Sequence, residues 1–309
     1  MHPAADSAGE GMEERVAPLP AAAVLTVWGA SGSAPAAGAC RCRWGGETVC
    51  FELRAEGAAP DAPSLMIDMG SGARDAGRAM TARCEAAGVA PRAVALLSHL
   101  HLDHVWGAPF FDPFYRAGSD IELRCGLYDD PEAFEADMRR LIAPPFFPIE
   151  PLTFGGARFS TFPVGAVFEA AGFRVTALPL HHPGGCMGFR IAGAGWSIAV
   201  IGDHEHGDPT ADSNALALAE GADLVIFDGA YDDAEYPAHE GWGHSTWQRG
   251  LAFAAEAGAG QVLIHHHLPE RTDAQLDAMA TKVRETTNSA DLAKQGVRWR
   301  LGKGGAAEL

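Results

Sequence analysis

From Ser98 to His104 the chain reads Ser-His-Leu-His-Leu-Asp-His, which places His99, His101, Asp103 and His104 within six positions. Imidazole and carboxylate are the donors that zinc prefers and that manganese and iron accept. Four donors so close together exceed what one tetrahedral site with an open position can use, so two adjacent ions sharing them fit better. The apolar run at 94–97 comes directly before them. A strand ending there would deliver all four into one tight loop at a sheet edge. A plain polar loop, with histidines bonded only to backbone, would be an improbable host for so many donor types.

More donors follow the ends of other apolar runs. His181 and His182 close the run at 175–180 and precede Pro183-Gly184-Gly185. Asp203 follows 198–201 and Gly202, and His265, His266 and His267 close 261–264. Taken singly, each could be a cap or a hydrogen-bonded core histidine. Jointly they supply the remaining ligands that two ions require. Spacing alone leaves His181 against His182, and His266 against His265 and His267, as open alternatives.

The elements that must carry these loops follow from periodicity. Strand-like runs stand at 22–28, 48–53, 65–68 and 93–98, with a helix at 73–87 between the last two. The stretch 110–162 is aromatic and proline-rich and reads as loops around one helix at 131–141. A second series of strands follows at 173–180, 188–191, 196–201, 224–227 and 261–265, interleaved with helices near 214–220, 245–257 and 273–288. Two strand-rich halves, each flanked by helices, predict two packed sheets with helices outside. No break in composition divides them, so 21–309 is expected to form one domain after a mobile tail at 1–20.

The chain has 309 residues, 47% of them hydrophobic, with 23 basic and 40 acidic side chains and a formal charge of −17. That composition excludes wholesale disorder and fibrous architectures, and no apolar run reaches the ~20 residues of a spanning helix. The acidic opening stretch lacks the basic segment and apolar core of a signal peptide. The negative charge disfavours a phosphate backbone as partner and leaves a small anionic molecule as the expected substrate. Six cysteines without an export signal read as reduced thiols in a cytoplasmic protein. Cys40 and Cys42 lack a second pair at metal-site spacing.

The order His99-Leu-His101-Leu-Asp103-His104, then an isolated His, then Asp, then His, resembles the metallo-β-lactamase-fold hydrolase superfamily. Residues 28–33 (Trp-Gly-Ala-Ser-Gly-Ser), 45–48 (Gly-Gly-Glu-Thr) and 67–72 (Ile-Asp-Met-Gly-Ser-Gly) resemble its ribonuclease Z and phosphodiesterase-like branch. So do His182-Pro183-Gly184-Gly185, Gly241-Trp242-Gly243-His244-Ser245-Thr246 and His266-His267-Leu268-Pro269. Ser31 and Glu47 depart from it, standing where the branch often has Arg and Asn.

The resemblance implies an α+β fold, the αββα four-layer sandwich, with two divalent metal ions at one edge, zinc foremost and manganese or iron as alternatives. Carried over by position, one ion would take His99, His101 and His182. The other would take Asp103, His104 and His266, with Asp203 bridging. His182 is favoured because it directly precedes Pro-Gly-Gly, and His266 because it stands three residues before Pro269. In this branch the histidine at the position of His244 assists the departing phosphate oxygen, so His244 and Asp103 are the expected catalytic residues. A metal-bridging hydroxide would be the nucleophile, and a small cyclic or linear phosphodiester the substrate. The alternative is a lactone or thioester hydrolase of the glyoxalase II type. A mono-iron oxygenase is disfavoured because the second donor set is complete.

Four further readings come with these. Asp68 either orients a ligand histidine or stabilises the turn at 70–72. Glu205 and His206 are close enough in sequence to line the pocket. The aromatic stretch of Trp106, Phe110, Phe111, Phe114 and Tyr115 is expected mainly in the core. A homodimer is compatible with the chain, although no interface can be read from it.

Overall fold

Strand β1 (Ala22–Gly29) alternates half-buried and buried side chains along its whole length, the period-two pattern of a strand with one face on a core. It opens a computed structural model that describes residues 18–38, 41–141, 143–145, 147–148 and 156–309. Most of the expected tail at 1–20 lies outside the described residues, as do Cys40 and parts of the 110–162 stretch.

After β1 come β2 (Cys50–Ala55), β3 (Ser64–Ile67), helix α1 (Ala73–Ala87), β4 (Arg92–Leu97), the single-turn helix α2 (Leu102–Val105), β5 (Asp120–Cys125), α3 (Pro131–Leu141) and β6 (Arg158–Thr161). The second half contains β7 (Val167–Ala170), β8 (Phe173–Leu180), β9 (Cys186–Gly193), β10 (Trp196–Ile201), α4 (Pro209–Ala219), β11 (Leu224–Asp228), α5 (Trp247–Glu256), β12 (Gln261–His265), α6 (Asp273–Thr286) and β13 (Ala290–Leu292). Strands β14 (Arg298–Gly302) and β15 (Gly305–Glu308) return to the first half.

The strands form an eight-stranded sheet, ordered β15-β14-β1-β2-β3-β4-β5-β6, and a seven-stranded sheet, ordered β13-β12-β11-β10-β9-β8-β7. Each has an antiparallel part and a parallel part, and the parallel neighbours run β3-β4-β5-β6 and β10-β11-β12-β13. Three apolar clusters define the layers. Leu25, Phe51 and Ile67 of one sheet meet Phe173, Phe189, Ile198 and Ile226 of the other. Met80, Phe111 and Phe134 cover the outer face of the first sheet, and Leu218, Phe253, Leu276 and Val283 cover that of the second. The order is helix, sheet, sheet, helix, as expected.

Two expectations need correction. The 110–162 stretch holds strands β5 and β6, not loops alone. Strand β5 lies between β4 and β6 with most of its side chains buried, so it lacks the alternation by which half-exposed strands are read. Helix α4 starts at Pro209 rather than near 214, because the Asp208 carboxylate caps it, accepting from the N–H groups of Thr210 and Ala211. Strands β13 to β15 at the C-terminal side were not anticipated either. The five described cysteines are all free, four of them buried. Among the described residues no helix is long and apolar enough to cross a membrane.

Candidate active site

Strands of both sheets end at one edge, and the loops after them carry the donors. His99, His101, Asp103 and His104 follow β4; His182 follows β8; Asp203 follows β10; and His266 follows β12. Loops at the carboxyl ends of strands are where sheets of this kind hold ligands. Donor atoms of His99, His101, His182 and Asp203 lie within 4.8 Å of one another, as do those of Asp103, His104, Asp203 and His266. Asp203 belongs to both groups. One of its oxygens, Oδ2, is 3.2 Å from Nε2 of His104 and 3.6 Å from Nε2 of both His99 and His182. The other, Oδ1, is 3.4 Å from Nε2 of His266.

The far nitrogens of the rings are fixed by partners outside the cluster. Asp68 Oδ2 faces His104 Nδ1 at 2.8 Å and accepts from the Ser98 hydroxyl at 2.8 Å, while Oδ1 accepts from the Ser98 N–H. A carboxylate can only accept, so His104 carries a hydrogen on Nδ1 and turns Nε2, the atom that would ligate an ion, inward. Asp68 is thus spent on orienting the donor loop and not on the turn at 70–72. His182 donates from Nδ1 to the carbonyl of Gly243 at 2.8 Å. The Ser33 N–H holds Asp103 Oδ2 at 2.7 Å. Gly32 must be glycine here, because a Cβ would stand 2.1 Å from the ring of His266. Of the two departures in the opening loops, Ser31 accepts from the buried Arg41 guanidinium and Glu47 pairs with Arg74.

The donor set fits a metal. His99 Nε2, His104 Nε2 and Asp203 Oδ1 are buried without a hydrogen-bond partner among the described residues, a costly state for polar atoms unless something else satisfies them. Separations of 3.2 to 3.6 Å are long for hydrogen bonds. They match the spacing of about 3.3 Å between ligand atoms set tetrahedrally about 2.0–2.1 Å from zinc. Electrostatics point the same way. Burial would raise the pKa of Asp103 and Asp203, but the imidazoles of His104 and His266 hold both well below the carboxylate range. Two buried carboxylates in contact with four imidazoles call for positive charge between them.

The structure separates the neighbouring histidines. His181 is exposed, and its Nδ1 bonds the carbonyl of Glu205, whereas His182 is buried in the cluster. His265 packs edge-on to Phe51, and His267 donates to the carbonyl of Ala293. Burial lowers their pKa values to about 4 and about 3, so both are neutral core rings. His266 takes a left-handed φ of 65°, which turns its ring out of line with its neighbours and into the site.

His244 is buried beside the cluster, its ring stacked on that of His266 at 4.2 Å. Its Nδ1 faces Asp228 Oδ2 at 2.8 Å. Sequence reasoning missed Asp228, although an acidic residue ending the apolar run Leu-Val-Ile-Phe is the signal that singled out Asp203. Its carboxyl is fully buried, which would raise its pKa, yet His244 holds it below the ordinary range. Glu205 does not simply line a pocket: it accepts from the N–H groups of Gly241 (2.6 Å) and Gly243 (2.7 Å) and from the Tyr236 hydroxyl (2.9 Å). This clasp fixes the loop whose carbonyl orients His182 and whose next residue is His244. Gly243 has a φ of +89°, and a Cβ there would lie 2.3 Å from His182 Nδ1. His206 does line a cavity of about 470 Å³ beside His182. The aromatic stretch divides, with Phe111 and Phe114 in the core and Trp106 and Phe110 half-exposed.

A family model described as "Beta-lactamase superfamily domain" matches residues 64–267, about two thirds of the chain. The chain belongs to the β-lactamase superfamily. It is a metal-dependent hydrolase with the metallo-β-lactamase fold, as the ligand order led one to expect. A curated relative, ribonuclease BN of Escherichia coli, is 26% identical over 223 aligned positions, covering 55% of this chain and 68% of the relative. The fold is shared with zinc-bound PqqB from Methylobacterium extorquens (TM-score 0.62, 16% identity, 89% of this chain and 99% of that one). It is also shared with the short form of human tRNase Z (TM-score 0.60, 19% identity, 89% and 98%). Because the curated relative is named a ribonuclease, the acidic charge of this chain does not by itself set nucleic acid aside.

Proposed function

We propose that this member of the superfamily is a binuclear phosphodiesterase acting on a small phosphodiester. The observation that carries the reading is the shared position of Asp203, whose carboxylate is in reach of both donor groups at once. His99, His101 and His182 would hold one divalent ion, Asp103, His104 and His266 the other, and Asp203 would touch both. Zinc suits this set of imidazoles and carboxylates best. When bound, such a pair of ions supplies Lewis acidity and a water deprotonated near neutral pH.

The chain's own residues do the rest. Asp68 and Ser98 set the tautomer and tilt of the donor loop. Asp228 holds the Nδ1 hydrogen of His244, which leaves Nε2 free to pass a proton. In the reaction water adds to phosphorus, one P–O ester bond breaks, and the departing oxygen takes a proton from His244. Asp228, already ionised, stabilises the imidazolium that precedes this transfer. His101, the exposed member of its donor group, marks the open side from which the ester enters.

The test is metal content measured together with turnover of bis-p-nitrophenyl phosphate. About two ions per chain and release of p-nitrophenolate are expected. Two ions without cleavage would overturn the phosphodiesterase reading in favour of lactone or thioester hydrolysis. One ion or none would overturn the binuclear site.

A further inference from the structure

The loop that presents the donors also presents an apolar surface. Leu100 and Leu102 alternate with His99, His101 and Asp103, and both line a cavity of about 800 Å³. Trp106, Phe110, Met138 and Phe147 form other parts of its wall. Leu102, Trp106 and Phe110 are 50%, 48% and 50% exposed, and Phe110 stands edge-on to Phe147 at 5.6 Å. Large apolar side chains left open to water are surface that an apolar ligand group would gain by covering. The volume lies inside the range of about 300–1,000 Å³ typical of small-molecule sites.

Charge decides what the cavity can hold. Among the described residues the charged side chains that line it are Asp137 and Arg140, one acid and one base at its exposed rim, which pair with each other at 2.6 Å. Asp137 also accepts from the Tyr128 hydroxyl at 2.8 Å. The described walls are otherwise apolar and carry no net charge to favour a phosphate, so the reacting anion belongs at the donor cluster. The cavity adjoins that cluster through the donor loop itself, because exposed His101 lies between its two leucines.

We propose that this cavity receives a bulky uncharged ester group of the substrate, of about the size of a fused aromatic ring. The phosphodiester would then be asymmetric, with its reacting phosphate at Asp203 and one apolar substituent against Trp106 and Phe110. This specificity inference rests on the phosphodiesterase reading above.

The experiment compares two diesters that share the p-nitrophenolate leaving group, one with a methyl and one with a naphthylmethyl ester, on the metal-loaded full chain. The naphthylmethyl diester is expected to have a kcat/KM at least about tenfold higher, in line with the discrimination apolar pockets achieve. Trp106→Ala and Phe110→Ala, both at half-exposed positions, should each lower that preference ratio about fivefold or more. A ratio near one in the parent chain, or one that neither substitution changes, would overturn the proposal. So would loss of a dimer in both variants with equal losses on the two substrates, since the face would then be an interface between copies. If neither diester is cleaved, the phosphodiesterase reading fails on its own, and the cavity is tested by titrating naphthyl phosphate and methyl phosphate calorimetrically. About tenfold tighter binding of naphthyl phosphate, reduced in Trp106→Ala, would sustain the cavity, and equal affinities would sink it.

Discussion

Asp228 at the end of β11 and His244 just before α5 face each other at 2.8 Å, carboxylate to ring nitrogen, within reach of Asp203 and His266. The pair fixes which nitrogen of His244 is available for proton transfer, so the two substitutions should fail in a graded way. His244→Ala should keep both ions and lower kcat by a factor on the order of 10²–10⁴. Asp228→Asn should cost at least about tenfold, because a neutral amide neither selects the tautomer nor stabilises the imidazolium. Steady-state turnover with parallel metal analysis checks this, and parent-level rates in His244→Ala would make that histidine structural.

Asp203 is the one side chain common to the two donor groups. Asp203→Ala should therefore reduce metal content from about two ions per chain towards one or none. His181→Ala, changed at the exposed neighbour of His182, should leave the content as it was. Elemental analysis of the purified variants decides both, and a loss of metal in His181→Ala would exchange the roles of the two histidines.

Glu205 holds two backbone N–H groups and a tyrosine hydroxyl at once. Glu205→Ala leaves three donors without their acceptor, at a cost of about 1–3 kcal/mol for each one that stays buried. The loop at 241–243 then loosens under both His182 and His244. The expected result is a lower melting temperature together with a lower kcat. A variant that melts earlier yet turns over normally would show that the clasp serves stability alone.

At the edge formed by β5 and β6, Glu122 accepts from Arg124 at 2.8 and 2.9 Å and from Ser160 at 2.7 Å. Burial would raise its pKa, but these hydrogen bonds together with the charges of Arg124 and Arg158 bring it below the ordinary value. A carboxyl whose folded pKa is depressed adds stability that is present above its unfolded pKa and is lost as pH falls through the folded value. The melting-temperature gap between the parent chain and Glu122→Gln should therefore be widest near neutrality and close on acidification below about pH 4.5. A gap independent of pH would mean that packing, and not charge, accounts for the difference.

Much of this centre could be read before any coordinates, for a physical reason. Metal donors cluster in short loops directly after apolar runs, and His99 to His104, His182, Asp203 and His266 all obey that rule. Helix α1 was legible to its ends because Gly88 stops it in a left-handed cap. Strand β5 was not, since a strand inside a parallel sheet loses its alternation, and β6, at the sheet edge, is short and exposed or half-buried throughout. Strand β14 was missed because its partner β1 lies at the far end of the chain, and pairing at that distance leaves no local trace; β15 joins the sheet only through β14. The orienting contacts were the least visible. Asp68 reaches His104 and Glu205 reaches Gly243 only after distant loops have been folded together.

Asp103 and His266 meet across 163 residues of chain. An ion held between them would tie the two sheets with a coordinate cross-link closing a loop of that length. The entropy that such a tie removes from the unfolded chain grows with the logarithm of the span, so a link across more than half of the chain favours the fold more than one between near neighbours. Loading the centre would then act on the lifetime of the fold as well as on its chemistry, adding a tie to the apolar core that already joins the sheets.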